Sequence, residues 1–293
     1  MEEAFGAWHI KGGIGTLATL VHQRCIDVGV DIHFNSTVEE IVIEKGVVLG
    51  VRLADGTEIE ADAVVANADA SLIYNHLIKA ENRKLLKVRK NIARADASIA
   101  GFTLLLGLRK SETSVLSHHT ILFTHDYDAE FNSIFSEKLP AKNPTIYICA
   151  PDDDQMVKGE NLESWSVLVN VPPHGPLGFD WNDENFNRKY ANSIIDHIEA
   201  QGISVRDRLE SLTIRTPADL ERTVCAPGGS IYGTSSNGAR AAFMRAKNRS
   251  PIKGLYCVGG SAHPGGGLPL VGMSGEIVAN AIGRARNELP SQS

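Results

Sequence analysis

The sequence predicts a mixed fold, α/β plus α+β, with the α/β parts at the two ends of the chain and the α+β part between them. Three observations carry this. Within residues 13–66 a helical pattern is followed by β-rich runs broken by turn dipeptides. From 98 to 224 strand-like runs alternate with helical stretches. Near the end, the apolar run Leu255-Tyr256-Cys257-Val258 enters the glycine-rich stretch GGSAHPGGGLPL at 259–270 and then another helical pattern.

The elements follow in order. Ile14, Leu17, Ala18, Val21, Cys25 and Val28 recur at the three-four spacing of one helical face, and Gly29 supplies a stop, which predicts a helix over 13–28. Val30, Ile32 and Phe34 alternate as a short strand. Lys45-Gly46 and Asp55-Gly56 then punctuate β-rich runs, the signature of a three-stranded meander, and a fourth apolar run at 63–66 stops at Asn67-Ala68-Asp69. In the middle, strand-like runs fall at 98–108, 119–124, 145–150, 165–171 and 209–215. Phe186, Tyr190, Ile194 and Ile198, four apart after Asn182, predict a helix that ends at Gly202. Thr216 as N-cap, Pro217 at the first helical position and Asp219 in the capping-box place predict a short helix there. Ile277, Val278, Ala281 and Ile282 share one face of a last helix that begins at about Val271, and the tail after Arg286 is expected to fray.

Strand, glycine loop, helix is an arrangement that brings backbone N–H groups and a positive helix end up to an electron-rich group, because each glycine removes a Cβ that would block the approach. A tight structural crossover is the competing reading of such a loop taken alone.

Composition narrows the function classes. The chain has 293 residues, 43% of them hydrophobic, enough to bury a sizeable core in more than one folding unit. A formal net charge of -6 with no basic stripe argues against nucleic acid as a partner. The longest apolar runs, 101–108 and 258–273, are short or broken by Gly and Pro. MEEAFGAWHIKGG lacks a basic region followed by an apolar one, so no secretory signal is visible and cytoplasmic residence is expected, with peripheral contact at a membrane left open. Cys25, Cys149, Cys225 and Cys257 read as buried thiols, and no His/Cys spacing predicts a metal site. Asp69 and Asp152 to Asp154 read as caps and turns, His118-His119 as a loop or strand edge, and Trp165 and Trp181 as core or interface aromatics, with the lining of an apolar tunnel as the alternative for the two tryptophans.

The stretch GGIGTLATLVHQRCIDVGVDIHFNSTVEEIVIEKGVVLGVRLADGTEIEADAVVANAD, the stretch GLYCVGGSAHPGGGLPLVGMSGEIVANAI and the intervening TPADLERTVCAPGGSIYGTSSN together resemble the phytoene desaturase family, the carotenoid desaturases and isomerases of the flavin amine-oxidase superfamily. The resemblance covers essentially the whole chain. It implies a remnant of a glutathione-reductase-like FAD-binding domain built from both chain ends, 1–69 with the β-meander and 226–293 with the C-terminal strand, Gly-rich loop and helix, and an α+β substrate domain at 70–225. Family members begin with a βαβ unit bearing GxGxxG, which this sequence lacks; KGGIGTL at 11–17 opens a helix but follows no strand. The chain is therefore expected to be the C-terminal part of such an enzyme: a fragment, a truncated reading frame, or one half of a split protein with a separate N-terminal flavin-binding half as partner.

Residue by residue, the resemblance implies that Val38 meets the adenine through its backbone and that Asn67 and Ala68 end a strand beside the dinucleotide. Gly259 and Gly260 match glycines near the ribityl-pyrophosphate, and Gly266, Gly267, Leu268 and Pro269 match the loop that passes the isoalloxazine. A helix starting near Gly272 would point its N-terminus at the flavin, where charge gathers on reduction. No catalytic residue is identified. His263 is a weak candidate, since an imidazole bonded to nearby backbone that fixes the loop explains it better and hydride removal from a hydrocarbon gives an acid–base group little to do. Two function classes follow. One is an FAD-dependent oxidoreductase, a desaturase or isomerase of a carotenoid-like apolar isoprenoid, with FAD held in the complete protein. The other is a non-catalytic or incomplete substrate-binding module unable to hold FAD alone.

Overall fold

The structure, a computed structural model, describes residues 6, 8–93, 98–111, 116–157, 159–176, 178–231 and 245–287. Residues 288–293 of the tail expected to fray lie outside the described residues. The chain divides into two compact units: residues 1–34, 102–171 and 181–216 form one, and residues 35–101, 172–180 and 217–293 form the other. These boundaries differ from 69/70 and 225/226, because the residues after 70 pack with the strand at 255–257 and so belong with the chain's end.

The first unit holds helix α1 (Ile14–Asp27) and a five-stranded sheet in the order β6-β7-β8-β5-β9. Its strands are β5 (Ala100–Arg109), β6 (His119–Leu122), β7 (Ile146–Cys149), β8 (Leu162–Val171) and β9 (Leu209–Arg215). In β5 the alternate residues Phe102, Leu104, Leu106 and Leu108 are buried, as are Trp165, Val167, Val169 and Val171 in β8. That period of two gives the sheet one continuous apolar face. Helix α5 (Glu184–Ala200) covers apolar surface here: Tyr190 meets the Phe102 ring edge-on at 5.1 Å, and Trp181 lies 5.3 Å from the same ring. Trp165 and Trp181 are thus core aromatics. Helix α4 (Tyr127–Asn132) precedes β7, with Asp126 accepting from Ala129 N as its N-cap.

The second unit is built on the predicted meander, β1 (Val38–Glu44), β2 (Val47–Leu53) and β3 (Glu58–Glu60), all antiparallel. Lys45 at φ 50° and Gly46 at φ 81° make the tight turn between the first two strands, which is why that dipeptide was a legible signal. Strand β4 (Val64–Ala66) pairs in parallel with β10 (Leu255–Cys257), Leu255 opposite Val64 and Cys257 opposite Ala66. A short helix α2 (Ala70–Leu72) runs on as a π-turn, Ile73–Leu77, followed by α3 (Arg83–Ala93). Ile73, Tyr74, Ile78 and Leu85 from these helices join Ile41, Val48, Leu255 and Cys257 in one core. Helix α6 (Pro217–Val224) and helix α7 (Leu268–Asn287) complete the unit, and Val278 and Ala281 of α7 pack on Tyr256.

Three sequence expectations need correction. Residues 30–34 form no strand: Val30 and Phe34 are exposed and Asn35 turns the chain at φ 55°. Helix α7 starts at Leu268, with Val271 N donating to Gly267 O at 2.9 Å, so Pro269 sits in its first turn and Gly272 lies inside the helix, not at its end. Of the cysteines, Cys257 alone is buried; Cys25 and Cys149 are half-buried and Cys225 is exposed. No helix among the described residues is long and apolar enough to cross a membrane.

Candidate functional site

The site is assembled where β4 and β10 end side by side. The run Leu255-Tyr256-Cys257 is buried throughout, as a strand covered on both faces must be, and Val258 N extends the ladder by donating to Ala66 O at 3.0 Å. Both chains then leave the sheet at its carboxyl edge, as Asn67-Ala68-Asp69 and as Gly259-Gly260-Ser261. A crevice at that edge of a parallel pair is where ligands of α/β folds bind.

Gly259 explains its own residue type. Its φ is 93°, and a Cβ there would stand 2.1 Å from Asn67 Oδ1, so the two strand ends approach this closely only with glycine. Gly267 is different: φ is 98°, yet nothing lies within 4 Å of where its Cβ would be. The loop leaves open space at that point, on the approach to α7.

Side chains pin the rest of the loop. Ser261 Oγ accepts from Ala70 N at 3.0 Å and donates to Ala68 O at 3.3 Å, tying the two strand ends together. Arg245 Nη1 donates to Gly260 O at 2.7 Å, and burial pulls the Arg245 guanidinium below its ordinary range. The amide of Asn248, buried, donates to Cys257 O, His263 O and Ser274 Oγ, linking strand, loop and α7. Asp69 caps α2 by accepting from Ser71 N at 2.8 Å, so its carboxylate is structural. His263 is held by its backbone, its N donating to Ala246 O at 2.9 Å, while its ring is exposed and makes no hydrogen bond among the described residues. The loop is therefore fixed by Asn248 and Arg245, which sequence reasoning missed because isolated polar residues carry no periodicity.

Beneath the strand end, Cys257 Sγ lies 3.7 Å from Tyr74 Oη, and burial pushes both the thiol and the phenol well above their ordinary pKa values. Both groups stay neutral and serve the core.

A cavity of about 350 Å³ opens at this edge, lined by Asn67, Ala68, Asp69, Val258, Gly260 and Ser261 from the strand ends and by apolar side chains such as Leu220, Val224 and Ile231. The structure thus brings Asn67, Ala68 and Gly260 together, with Gly259 behind them. Val38 stands at the head of β1 opposite Leu53 and outside this cavity, and Gly266, Gly267, Leu268 and Pro269 also do not line it. Leu268, Leu270 and Met273 of α7 present exposed apolar side chains beside the loop.

A crevice at the carboxyl ends of a parallel strand pair, reached by a glycine-rich loop, is the place where α/β proteins bind their ligands. Comparison with known proteins sharpens that. The family model of flavin containing amine oxidoreductases matches residues 1–96. The chain is 31% identical over 282 residues to the hydroxyneurosporene desaturase of Rubrivivax gelatinosus, covering 96% of this chain and 52% of that protein. It is 32% identical over 289 residues to a 4,4'-diapophytoene desaturase (4,4'-diapolycopene-forming) of Methylomonas sp, covering 96% and 55%. A solved oxidoreductase from Methanosarcina mazei shares the fold, with TM-score 0.62 at 15% identity over 92% of this chain and 55% of that one. The chain is thus similar to carotenoid desaturases along nearly all of its length, its residues 1–96 match the flavin containing amine oxidoreductase model, and it spans about half the length of the curated relatives it matches.

Proposed function

We propose that this chain forms part of an FAD-dependent oxidoreductase, a desaturase or isomerase that acts on a carotenoid-like isoprenoid. The observation that carries the reading is the cavity at the shared end of β4 and β10, lined by Gly260 and the strand ends, in a chain whose residues 1–96 match a flavin-containing family. The fold we infer for this part is a glutathione-reductase-like FAD-binding domain in the unit of residues 35–101, 172–180 and 217–293, with the substrate domain in the unit that holds the five-stranded sheet.

The residues present fit a flavin dinucleotide. Gly267 leaves unfilled space beside the loop, and Asn67 offers an amide at the strand end. The first turn of α7 presents N–H groups that stabilise nearby negative charge by about 0.3–1 kcal/mol. When bound, FAD would supply hydride acceptance, the redox chemistry that no amino-acid side chain offers. The contribution of this chain is positional. Asn67, Ala68 and Gly260 hold the dinucleotide edge, Ser261 and Asn248 keep the loop in register, and the apolar walls Leu220, Val224, Ile231 and Val258 exclude water from an apolar substrate. The exposed His263 has no charged intermediate to serve in such a reaction and is assigned no proton transfer.

Two supporting facts bear on the chain by itself. It spans about half of its relatives, and α1 carries apolar residues that are exposed among the described residues, Ile14 64% and Leu20 60%. The reading we favour is therefore that tight flavin binding needs a dinucleotide-binding unit of the GxGxxG type, in cis or as a separate polypeptide, packed on α1.

The test supplies that unit, adds FAD and a carotenoid-like isoprenoid in detergent or vesicles without oxygen, and follows the visible spectrum. Desaturation should bleach the flavin while the polyene absorption moves to longer wavelength; isomerisation should change the polyene bands alone. An unchanged polyene spectrum with flavin bound would overturn the assignment.

A further inference from the structure

The first unit carries a second group of reactive side chains that the flavin chemistry does not use. Strands β6 and β7 are the outermost pair of the five-stranded sheet, antiparallel, with His119 directly opposite Cys149. Directly opposed residues of such a pair project from the same face with Cβ atoms about 4.5–5.5 Å apart. His118 enters from the residue before β6, its carbonyl accepting from Ala150 N at 2.8 Å, and its ring lies 4.4 Å from that of His119. One ligand atom from each of His118, His119 and Cys149 comes within 4.8 Å of the others, the one such trio among the described residues.

A second layer holds this trio. Tyr147 Oη shares a 2.7 Å hydrogen bond with His119 Nδ1, and the two rings stack at 5.9 Å, which fixes one imidazole nitrogen and leaves the other for a ligand bond. The ring of His9 packs edge-on to His118 at 4.9 Å. His9 is in turn fixed by Asp153, which accepts from His9 Nε2 and from Gly12 N, each at 2.7 Å.

We propose that His118, His119 and Cys149 form a binding site for a divalent ion of the Zn²⁺ class, with the fourth tetrahedral position open to solvent. Two imidazoles and one thiolate are ligands that favour Zn²⁺ over the hard cations Mg²⁺ and Ca²⁺. Bond lengths of 2.0–2.1 Å to nitrogen and 2.3 Å to sulfur place tetrahedral ligand atoms about 3.3–3.6 Å apart. Closing from 4.8 Å requires side-chain rotation only, because the ladder already fixes the backbones of His119 and Cys149. A bound ion would clip the edge strand β6 to β7 and keep the Cys149 thiol ionised. The sequence gives no hint of this trio, since the ligands are joined by strand register across about thirty residues of chain and not by a short motif.

Cobalt titration of the purified, chelator-treated chain tests the site. One equivalent of Co²⁺ should produce the strong visible bands of tetrahedral cobalt and a near-ultraviolet thiolate-to-cobalt band, both removed by added Zn²⁺. Cys149→Ser should abolish the thiolate band and His119→Asn should weaken Co²⁺ binding at least about tenfold, a loss that even supporting groups cause when removed. Cys225→Ser, which removes an exposed competitor thiol, should leave the spectrum unchanged. A pale octahedral spectrum, or a thiolate band that survives Cys149→Ser, would overturn the proposal. If far-ultraviolet circular dichroism shows that Cys149→Ser fails to fold, His118→Asn and His119→Asn decide by the same affinity criterion: unchanged cobalt affinity in both would refute the site.

Discussion

Helices α5 and α1 both carry apolar residues at three-four spacing and end in opposite situations. In α5, Tyr190, Ala191, Ile194, Ile195 and Ile198 are all buried, and the Asp183 side chain caps the first turn by accepting from Asn185 N and Phe186 N. In α1 no residue is buried, Gly13 precedes the helix without a side-chain cap, and Ile14, Leu20, Val21 and Ile26 are exposed. A three-four pattern states which face of a helix needs cover; it does not state that the cover is in the same chain. For α5 the cover is present, through the Phe102 and Trp181 rings. For α1 it is not found among the described residues, and an exposed apolar stripe of this kind is the surface that a further unit would cover under the proposed function.

The sharpest way to break this comparison is to truncate both faces. Ile194→Ala or Ile198→Ala should destabilise the chain by about 2–5 kcal/mol in chemical denaturation, because each leaves a cavity in a closed core. Leu20→Ala should change stability by no more than about 0.5 kcal/mol in the chain alone, and should weaken association with a supplied GxGxxG unit. Equal losses at the two positions would show that α1 is covered within this chain.

Next in size comes the glycine loop. With the dinucleotide-binding unit present, Gly267→Val should lower flavin retention at least about tenfold, roughly 1.4 kcal/mol, since a branched side chain fills the open space and resists a φ of 98°. His263→Ala should retain flavin, because its backbone and not its ring holds the loop. Absorption of the desalted variants reads both. Turnover lost from His263→Ala with flavin still bound would make that histidine catalytic.

Removing the cap of α5 should cost less. Asp183→Ala is expected to lower stability by about 1 kcal/mol, as for N-caps generally, whereas α1 has no equivalent residue to lose. A denaturation midpoint unaffected by Asp183→Ala would mean that packing alone holds α5.

The smallest effect concerns acid. The hydrogen bond from His9, helped by the N–H groups of Gln155 and Gly12, lowers the Asp153 carboxyl to about 2. A depressed carboxylate adds stability that is fully present above its unfolded pKa of about 3.9 and is lost as pH falls through its folded value. His9→Ala should therefore lower stability modestly at neutral pH, with the difference from the parent chain shrinking from about pH 4 to pH 2 and the acid-unfolding midpoint moving upward in that window, as followed by circular dichroism. A midpoint that does not move would remove His9 as the cause.

What was legible in the sequence follows the same division. The meander, the five middle strands, α5 and α6 were readable because turn glycines, alternation and caps are local signals. The run 255–258 was expected to share a sheet with either 30–34 or 63–66, because both chain ends resemble flavin-domain motifs, and it pairs with the second of these. The strand expected at 30–34 failed for want of a partner edge, which alternation cannot supply. The early start of α7 was missed because Pro269 was read as part of the loop when it is a residue of the first helical turn. Of the residues expected at the site, Asn67, Ala68 and Gly260 line one cavity, whereas Arg245, Asn248 and the His118, His119 and Cys149 trio were invisible, because each depends on contacts between distant segments.

One measurement bears most directly on the account that this chain supplies a wall of a flavin site and an uncovered helix face. The purified chain is incubated with excess FAD, desalted and scanned across the flavin bands, alone and with a GxGxxG-bearing unit. The account predicts a colourless chain alone and a yellow, desalting-resistant complex once that unit is present. Stoichiometric yellow protein from the chain alone would contradict it.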